Sequence, residues 1–258
     1  MKNHIRYALS RYSNWFSWLA TIIGLIAIFP LNRLWAILIV VTCVTLAFII
    51  PFVISIIKRD FSIKTVGNSK VTVHFGDIFE EECFVITTNR YFDVDSSEEH
   101  ISEASLLGLF VDKFYHNNIA ELKNVIREKI TIDAEGHIKP VPYGKTVFFQ
   151  KDEKIIYLMA FTDRKKSAQP KDFYLKAVKG LLKELSEANH GKTIAIPLLG
   201  ENNNLSNTGF SNCEVAFESL VSMINSFGIA NPQAELRLKI VILPNKKTEL
   251  IKVISNYA

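Results

Sequence analysis

Two long runs of apolar residues stand near the start of the chain, at about residues 15–31 and 34–57. Neither run contains Lys, Arg, Asp or Glu, and only Asn32 and Arg33 separate them. A helix needs about 20 apolar residues to cross the roughly 30 Å hydrocarbon core of a bilayer, and both runs are near that length. The pattern therefore predicts a hairpin of two transmembrane helices.

The basic residues around this hairpin indicate its orientation. The turn carries Arg33, whereas three cations precede the first run and three follow the second, namely Lys2, Arg6, Arg11, Lys58, Arg59 and Lys64. Cytoplasmic flanks of membrane helices are enriched in Lys and Arg. We therefore expect a multi-pass protein of the cell inner membrane, with the N-terminus and the rest of the chain in the cytoplasm. A cleaved signal peptide is the alternative, and the second run is too long for its apolar region.

Beyond the hairpin, the predicted elements alternate between strands and helices. Apolar alternation and β-branched runs predict strands at residues 70–75, 83–88, 130–133, 146–150, 155–161, 193–199 and 236–243. Apolar positions at helical spacing predict helices at residues 119–129, 171–189, 213–227 and 246–256. The run at 193–199 is almost wholly apolar, which is typical of a central strand covered on both faces. We therefore expect an α/β three-layer domain with a mixed central sheet.

Length and charge set the expected domain limits and narrow the partners. A hairpin at residues 1–60 leaves residues 61–258, enough for one compact domain. The formal net charge is +4, but six of the 30 basic residues and one of the 26 acidic residues lie in the first 60 positions. The remaining 24 basic and 25 acidic residues leave the domain near neutral. A general nucleic-acid-binding face needs a basic excess, so we expect no nucleic acid partner.

The three cysteines, Cys43, Cys83 and Cys213, are not spaced as a metal site or a disulfide framework. Cys213 stands at a predicted helix start, a position that lowers a thiol pKa. However, a nucleophilic cysteine needs a base, and no histidine lies near it in sequence. We therefore predict neither a metal site nor a catalytic residue.

Polar residues follow three of the predicted strands, at the ends where ligands bind in α/β domains. Asp77 and Ile78 follow the first strand, Asn89 and Asp93 follow the second, and the cluster at residues 197–204 follows the apolar strand. Each cluster also has a plain structural interpretation, because Gly, Asp and Asn are common turn residues.

In this order, the three clusters resemble the macro domain, a module that binds ADP-ribose. The similarity covers most of residues 70–258 and is carried by His-Phe-Gly-Asp-Ile at 74–78, Phe-Val-Ile-Thr-Thr-Asn at 84–89 and Ile-Ala-Ile-Pro-Leu-Leu-Gly at 194–200. Joined to a membrane hairpin, the pattern is similar to the transmembrane-macro effectors of the Thoeris anti-phage system. This resemblance implies a TIR-domain partner that consumes NAD and makes an ADP-ribose-type signal.

The resemblance also implies ligand-binding roles. Asp77 would accept the adenine amino group and the backbone of Ile78 would meet the adjacent ring nitrogen, while Asn89 and Asp93 would lie toward the distal ribose. Backbone N–H groups of two segments would bind the diphosphate; these residues are Ser105, Leu106, Gly108, Leu199, Gly200, Glu201, Asn202, Asn203, Asn204, Gly209, Phe210 and Ser211.

These roles favour a receptor over an enzyme. Hydrolytic macro domains have an Asn-Ala-Ala-Asn run where this chain has Thr87-Thr88-Asn89, and clustered glycines where it has only Gly200 and Gly209. We therefore expect a membrane-anchored sensor of an ADP-ribose derivative, such as a histidine–ADP-ribose conjugate, with no separate cofactor. After self-assembly into a homo-oligomer, the hairpin would disrupt the bilayer and cause abortive infection. The alternatives are a membrane-tethered ADP-ribosyl hydrolase or deacylase, and a constitutive scaffold.

Overall fold

The computed structural model describes residues 57–95, 101–116, 118–132, 137–164, 172–188, 191–200 and 212–257, with individual positions between 21 and 53. Every described position from 21 to 57 is helical. Most of the two predicted membrane spans, at 15–31 and 34–57, lies outside the described residues. Across the described parts of the chain, the structure has no helix that is both long enough and apolar enough to span a bilayer.

The chain divides into two compact units. One unit comprises Ser62–Pro244, and the other comprises Met1–Phe61 together with Asn245–Ala258. The chain passes from one unit to the other between Phe61 and Ser62, and again between Pro244 and Asn245. The boundary expected from the sequence lies between residues 60 and 61. Nothing in the sequence indicated that the C-terminal residues belong to the same unit as the N-terminal ones.

Seven strands are present in the described residues, and they form one sheet. The strands are β1 Asp60–Ile63, β2 Lys70–Phe75, β3 Cys83–Asn89, β4 Thr146–Lys151, β5 Lys154–Thr162, β6 Ile194–Pro197 and β7 Arg237–Ile242. Their order across the sheet is β1-β2-β7-β6-β3-β5-β4. The pairs from β2 through β5 are parallel, whereas β4 is antiparallel to β5. This confirms the predicted mixed sheet, with β6 in its centre.

Two differences from the predicted strands have physical causes. The strand predicted at 130–133 is wrong in its described part, where a single bridge joins Ile132 to Ile138. Ile132 is 45% exposed, so its segment buries no face against a neighbouring strand. Conversely, β1 was not expected because its two buried residues, Phe61 and Ile63, are too few to show a period.

The described residues also form five α-helices, of which the first four belong to the unit of Ser62–Pro244 and the fifth to the other unit. They are α1 Leu106–Tyr115, α2 Ile119–Lys129, α3 Phe173–Glu187, α4 Cys213–Ala230 and α5 Lys247–Tyr257. Buried side chains of α1 and α2 pack in one core with Phe84 and Ile86 of β3. On the opposite face α3 packs against β5, where the Phe173 and Phe161 ring centroids are 5.8 Å apart, and α4 packs against α3. The unit of Ser62–Pro244 is therefore a three-layer α/β domain, as predicted.

The other unit contains a buried lysine. Lys247, at the start of α5, donates a hydrogen bond from Nζ to the carbonyl oxygen of Lys58 and lies over the ring of Phe61. Burial of its ammonium group, with a smaller effect of the Arg59 charge, lowers the pKa of Lys247. Deletion of residues 1–60 would remove the acceptor of this buried ammonium group, the carbonyl oxygen of Lys58. Binding experiments are therefore best done with the whole chain.

The turn before β4 depends on a glycine. Gly144 has a φ of +81°, and a Cβ there would lie 2.4 Å from the carbonyl oxygen of Ala177 in α3. Gly144→Ala should lower the free energy of unfolding by about 3 kcal/mol, since left-handed strain adds to overpacking against backbone. Urea unfolding measures this. Gly191→Ala is the matched control, because Gly191 has a φ of +75° but no atom within 4 Å of its Cβ position. Equal losses in the two variants would contradict the close approach.

Candidate functional site

The residues predicted to bind the ligand follow three strands that run in the same direction. Asp77 follows β2, Asn89 ends β3, and Gly200 follows β6. Parallel pairing connects β2 to β7, β7 to β6, and β6 to β3, so these strands all run in the same direction. Since carboxyl ends of parallel strands meet at one edge, the structure brings the three clusters to the same edge of the sheet.

Asp77 combines a structural bond with exposure. It caps the short 3-10 helix Ile78–Glu80, and its Oδ1 accepts a hydrogen bond of 2.9 Å from the backbone N–H of Phe79. Its Oδ2 lies 3.7 Å from Nζ of Lys113, and the side chain is 47% exposed. One carboxylate oxygen thus keeps acceptor capacity toward solvent. The N–H of Ile78, in the first turn, has no acceptor within its own helix.

Asn89 organises the turn that follows β3. Its Oδ1 accepts from the backbone N–H groups of Tyr91 and Asp93, at 3.0 and 3.2 Å. Its Nδ2 donates to Oδ2 of Asp93 at 2.8 Å. The side chain amide has a second N–H, but most of its bonding capacity is used to hold the turn. These hydrogen bonds agree with the structural interpretation of Asn89 as a residue that stabilises the turn.

Asp93 is held by an arginine that the sequence analysis missed. Arg164 donates from Nε and Nη2 to the two oxygens of Asp93, each at 2.6 Å, and its guanidinium lies over the ring of Tyr91 at 4.1 Å. The Asp93 side chain is only 9% exposed. A bidentate pair of this kind fixes the carboxylate strongly. Arg164 could have been found from its position in the sequence, because it comes two residues after the end of β5, a strand that runs parallel to β3.

The segment at Ser105 begins α1 and supplies fewer free donors than predicted. Ser105 caps the helix, and its Oγ accepts from the N–H of Gly108 at 3.0 Å. The N–H of Gly108, predicted to bind diphosphate, is thus engaged within the cap. Gly108 is required for packing, because a Cβ there would lie 2.5 Å from the carbonyl oxygen of Ser102. The first-turn N–H groups of Leu106 and Leu107 have no acceptor within the helix.

The predicted phosphate loop begins with a buried leucine and a left-handed glycine. Leu199 is 2% exposed, and its carbonyl oxygen accepts from the hydroxyl of Tyr174 at 3.4 Å. Burial raises the pKa of Tyr174, which keeps that hydroxyl a donor. Gly200 has a φ of +87°. The predicted ligand residues Glu201, Asn202, Asn203, Asn204, Gly209, Phe210 and Ser211 lie outside the described residues.

The described cysteines of the α/β unit are buried. Burial raises the pKa of Cys83 to about 11, so its thiol stays protonated near neutral pH. Cys213 is 4% exposed in the first turn of α4, behind the cap formed by Asn212. In the parts of the chain that the structure describes, no His, Cys, Asp and Glu side chains form a group of three that could hold a metal ion.

The fold and this edge define a macro-type α/β domain, and sequence comparison identifies its family. Residues 71–243 match the family described as "Thoeris protein ThsA, Macro domain". This match covers more than half of the chain, which therefore belongs to the macro-domain family of Thoeris protein ThsA. The chain is also similar to the Thoeris protein ThsA of Bacillus amyloliquefaciens (strain Y2), with 28% identity over 212 residues, 77% of this chain and 71% of that protein.

Solved structures that are similar to this chain include macrodomains and a tomato leucine aminopeptidase variant. A variant of the Oceanobacillus iheyensis macrodomain matches 76% of this chain and 94% of its own, with 12% identity and a TM-score of 0.48. The macrodomain of Mycobacterium tuberculosis DarG matches 66% and 97%, with 20% identity and a TM-score of 0.41. The Oceanobacillus iheyensis macrodomain with ADP matches 76% and 94%, with 15% identity and a TM-score of 0.42.

Proposed function

We propose that this protein is a membrane-anchored receptor of Thoeris anti-phage defence that binds an ADP-ribose-derived signal. A TIR-domain partner makes the signal, and binding drives self-assembly and disruption of the inner membrane by the N-terminal hairpin. The observation that carries the proposal is the placement of Asp77, Asn89 and Gly200 at one edge of the sheet in a ThsA macro-domain chain.

The chemistry of this edge suits a dinucleotide-like ligand. At one end, the outer oxygen of Asp77 is available to accept from an adenine amino group, beside the first-turn N–H of Ile78. At the middle, the left-handed Gly200 and the N-terminus of α1 suit a diphosphate, since backbone N–H groups and helix dipoles favour anions. No Lys or Arg is required for this recognition.

Exposed apolar residues support the membrane anchor. Eight large apolar side chains at described positions of the second run are 39% to 69% exposed, namely Trp35, Leu38, Val41, Leu46, Ile49, Ile50, Val53 and Ile57. The hydroxyls of Thr42 and Thr45 donate to backbone carbonyls four residues earlier, each at 2.8 Å. Hydroxyls bonded in this way need no water, so they are compatible with a hydrocarbon environment. Two helices enclose no channel by themselves, which favours an oligomer.

We propose sensing rather than turnover because the carboxylate nearest the distal ribose is already engaged. Both oxygens of Asp93 accept from Arg164, and one also accepts from Asn89. A carboxylate paired with a guanidinium is a poor proton acceptor, which disfavours a role as general base.

Calorimetry of the full-length protein with ADP-ribose tests both parts of this proposal. We expect saturable binding, and we expect no release of ADP-ribose from an ADP-ribosylated protein incubated with the same preparation. Steady release would support the hydrolase alternative. Absence of binding to ADP-ribose and to its conjugates would refute the receptor and leave the scaffold alternative.

A further inference from the structure

Helix α5 belongs to the unit that contains the apolar runs. Residues Asn245–Ala258 group with Met1–Phe61, apart from the α/β unit. The family match covers residues 71–243, so α5 and the apolar runs both lie outside the matched residues. The helix is nevertheless well packed, since four of its apolar side chains are buried, namely Leu250, Ile251, Val253 and Ile254. It is therefore a structured part of the unit that carries the proposed membrane anchor.

The first residue of α5 holds the end of the second apolar run. The described positions of that run are helical up to Ile57, so the carbonyl group of Lys58 lies just past the last turn of the helix. A carbonyl group at this position finds no donor within its own helix. Nζ of Lys247 is the donor here, and a positive charge is favoured near the C-terminus of a helix. Lys247 thus fixes the point at which the chain leaves the apolar run.

A buried ring strengthens this contact between α5 and the apolar run. Nζ of Lys247 lies 5.9 Å from the centroid of the Phe61 ring, and Nζ of Lys58 lies 5.2 Å from the same centroid. Phe61 is 1% exposed and Lys247 is 9% exposed. Separating α5 from Lys58 would deprive a buried ammonium group of a hydrogen bond, which is energetically costly. A movement of α5 is therefore expected to carry the end of the apolar run with it.

Helix α5 is also connected by a short stretch of chain to the candidate ligand site. Strand β7 lies beside β2, the strand that precedes Asp77. At the end of β7, the carbonyl oxygen of Ile242 accepts a hydrogen bond of 3.0 Å from the N–H of Gly76, the neighbour of Asp77. Only residues 243–246 separate Ile242 from Lys247. A change at Asp77 thus reaches the start of α5 through one hydrogen bond and a short covalent connection.

The other connection between the two units is less direct. From the apolar run to Asp77 the chain passes through β1, a loop and β2. The N–H of Val66 in this loop donates to Oδ1 of Asn225 in α4 at 3.0 Å. A Cβ at Gly67 would lie 3.1 Å from the carbonyl oxygen of Gly228, also in α4. The loop is therefore held against a helix of its own unit, so a displacement of the loop would require α4 to move as well.

We propose that α5 transmits ligand binding to the membrane hairpin, and that Lys247 is the residue that positions the end of the second apolar run. Ligand contact at Asp77 acts on the end of β7 through the Gly76 hydrogen bond, and α5 carries the change to the carbonyl group of Lys58. A ligand shifts an assembly only by its preference for one state, and a short connection preserves that preference. The inference rests on the proposed function, because it presumes a ligand at the sheet edge and a hairpin in the membrane.

Insertion of Gly-Ser-Gly-Ser after Leu243 in the full-length protein tests this inference. Leu243 and Pro244 are exposed, so the insertion displaces no buried side chain, and a flexible linker of this kind transmits little orientation. We expect calorimetry with histidine–ADP-ribose to give an affinity within about twofold of the wild type, and ligand-dependent dye release from liposomes to fall by about tenfold or more. The matched control is the same insertion after Asp152, in the exposed turn between β4 and β5. This control should leave binding and dye release unchanged.

A substitution at Lys247 tests the residue itself. Lys247→Met removes the donor but keeps an unbranched side chain in the buried position. We expect this variant to bind histidine–ADP-ribose within about twofold of the wild type and to lose most of the ligand-dependent dye release. Lys247→Arg keeps a donor and should restore part of the release. Lys252→Met is the matched control, because Lys252 is an exposed cation of the same helix, and it should behave as the wild type.

Two results would overturn the inference while leaving the proposed function intact. The first is dye release by the Leu243 insertion variant at the same ligand concentrations as the wild type. The second is an equal loss of affinity and of dye release in Lys247→Met, which would make Lys247 a residue of general stability. In both cases the wild type would still bind the ligand and release dye in response to it. Absence of ligand-dependent release from the wild type would overturn both the inference and the proposed function.

Discussion

Gly200→Val should reduce the affinity for ADP-ribose by about 100-fold or more. Gly200 has a φ of +87° at the carboxyl end of β6, a conformation that a β-branched residue adopts only with strain. A side chain there would also displace the backbone N–H groups that we propose to bind the diphosphate. Loss of one or two charge-assisted hydrogen bonds amounts to about 3 kcal/mol, which corresponds to about 100-fold in affinity. Calorimetry on the full-length protein measures the change.

The control for Gly200→Val is a glycine at the other end of the same strand. Gly191 also has a positive φ, of +75°, and it precedes β6 at the amino edge. Gly191→Val should introduce comparable backbone strain and lower stability without changing the affinity for ADP-ribose. If both variants lose affinity equally, the effect is one of general destabilisation. If Gly200→Val binds normally, the phosphate site lies elsewhere.

Leu46→Arg should abolish the toxicity that we propose for this protein and reduce its recovery in the membrane fraction. Leu46 is 47% exposed within the second apolar run, and an arginine near the centre of a membrane helix costs about 2.5–3.5 kcal/mol. Binding of ADP-ribose should persist, because the substitution lies far in sequence from the residues at the sheet edge. Cell fractionation and growth after induction with a functional TIR-domain partner measure the two effects.

Leu175→Arg provides the matched control for this substitution. Leu175 is 55% exposed on α3 of the α/β unit, so the same change of charge occurs at a similarly exposed leucine outside the apolar runs. This variant should remain in the membrane fraction and remain toxic. If Leu46→Arg is recovered in the membrane fraction and is toxic to the same extent as the wild type, residues 34–57 are not a membrane span.

Much of the fold could be predicted from the sequence because local pattern and tertiary burial agree. Strand β2 has the predicted limits, since its alternating residues end at Gly76, whose N–H bonds to the carbonyl oxygen of Ile242. Helix α2 also has the predicted limits, because Asn118 caps its start and accepts from the N–H of Glu121. In both cases the residue that borders the pattern also makes a hydrogen bond at that end of the element.

The detailed bonding of the site could not be predicted in the same way. Arg164 and Asp93 are 71 positions apart, and their pairing depends on β5 lying beside β3. Likewise, only the helix geometry shows that Ser105 takes the N–H of Gly108. Sequence pattern indicates which residue types follow each strand, but the partners of their polar atoms are set by tertiary structure.

Ligand-dependent leakage from liposomes tests whether binding of an ADP-ribose-type signal leads this protein to disrupt a bilayer. Full-length protein is reconstituted into dye-loaded vesicles, and ADP-ribose or histidine–ADP-ribose is added to wild type and to Asp77→Asn. The asparagine keeps an oxygen for the cap on Phe79 but presents an amide N–H where a carboxylate oxygen would accept from adenine. We expect the wild type to release dye only with ligand, and the variant to need at least about tenfold more ligand for the same release. Leakage that is independent of ligand, or no leakage at saturating histidine–ADP-ribose, would contradict this expectation.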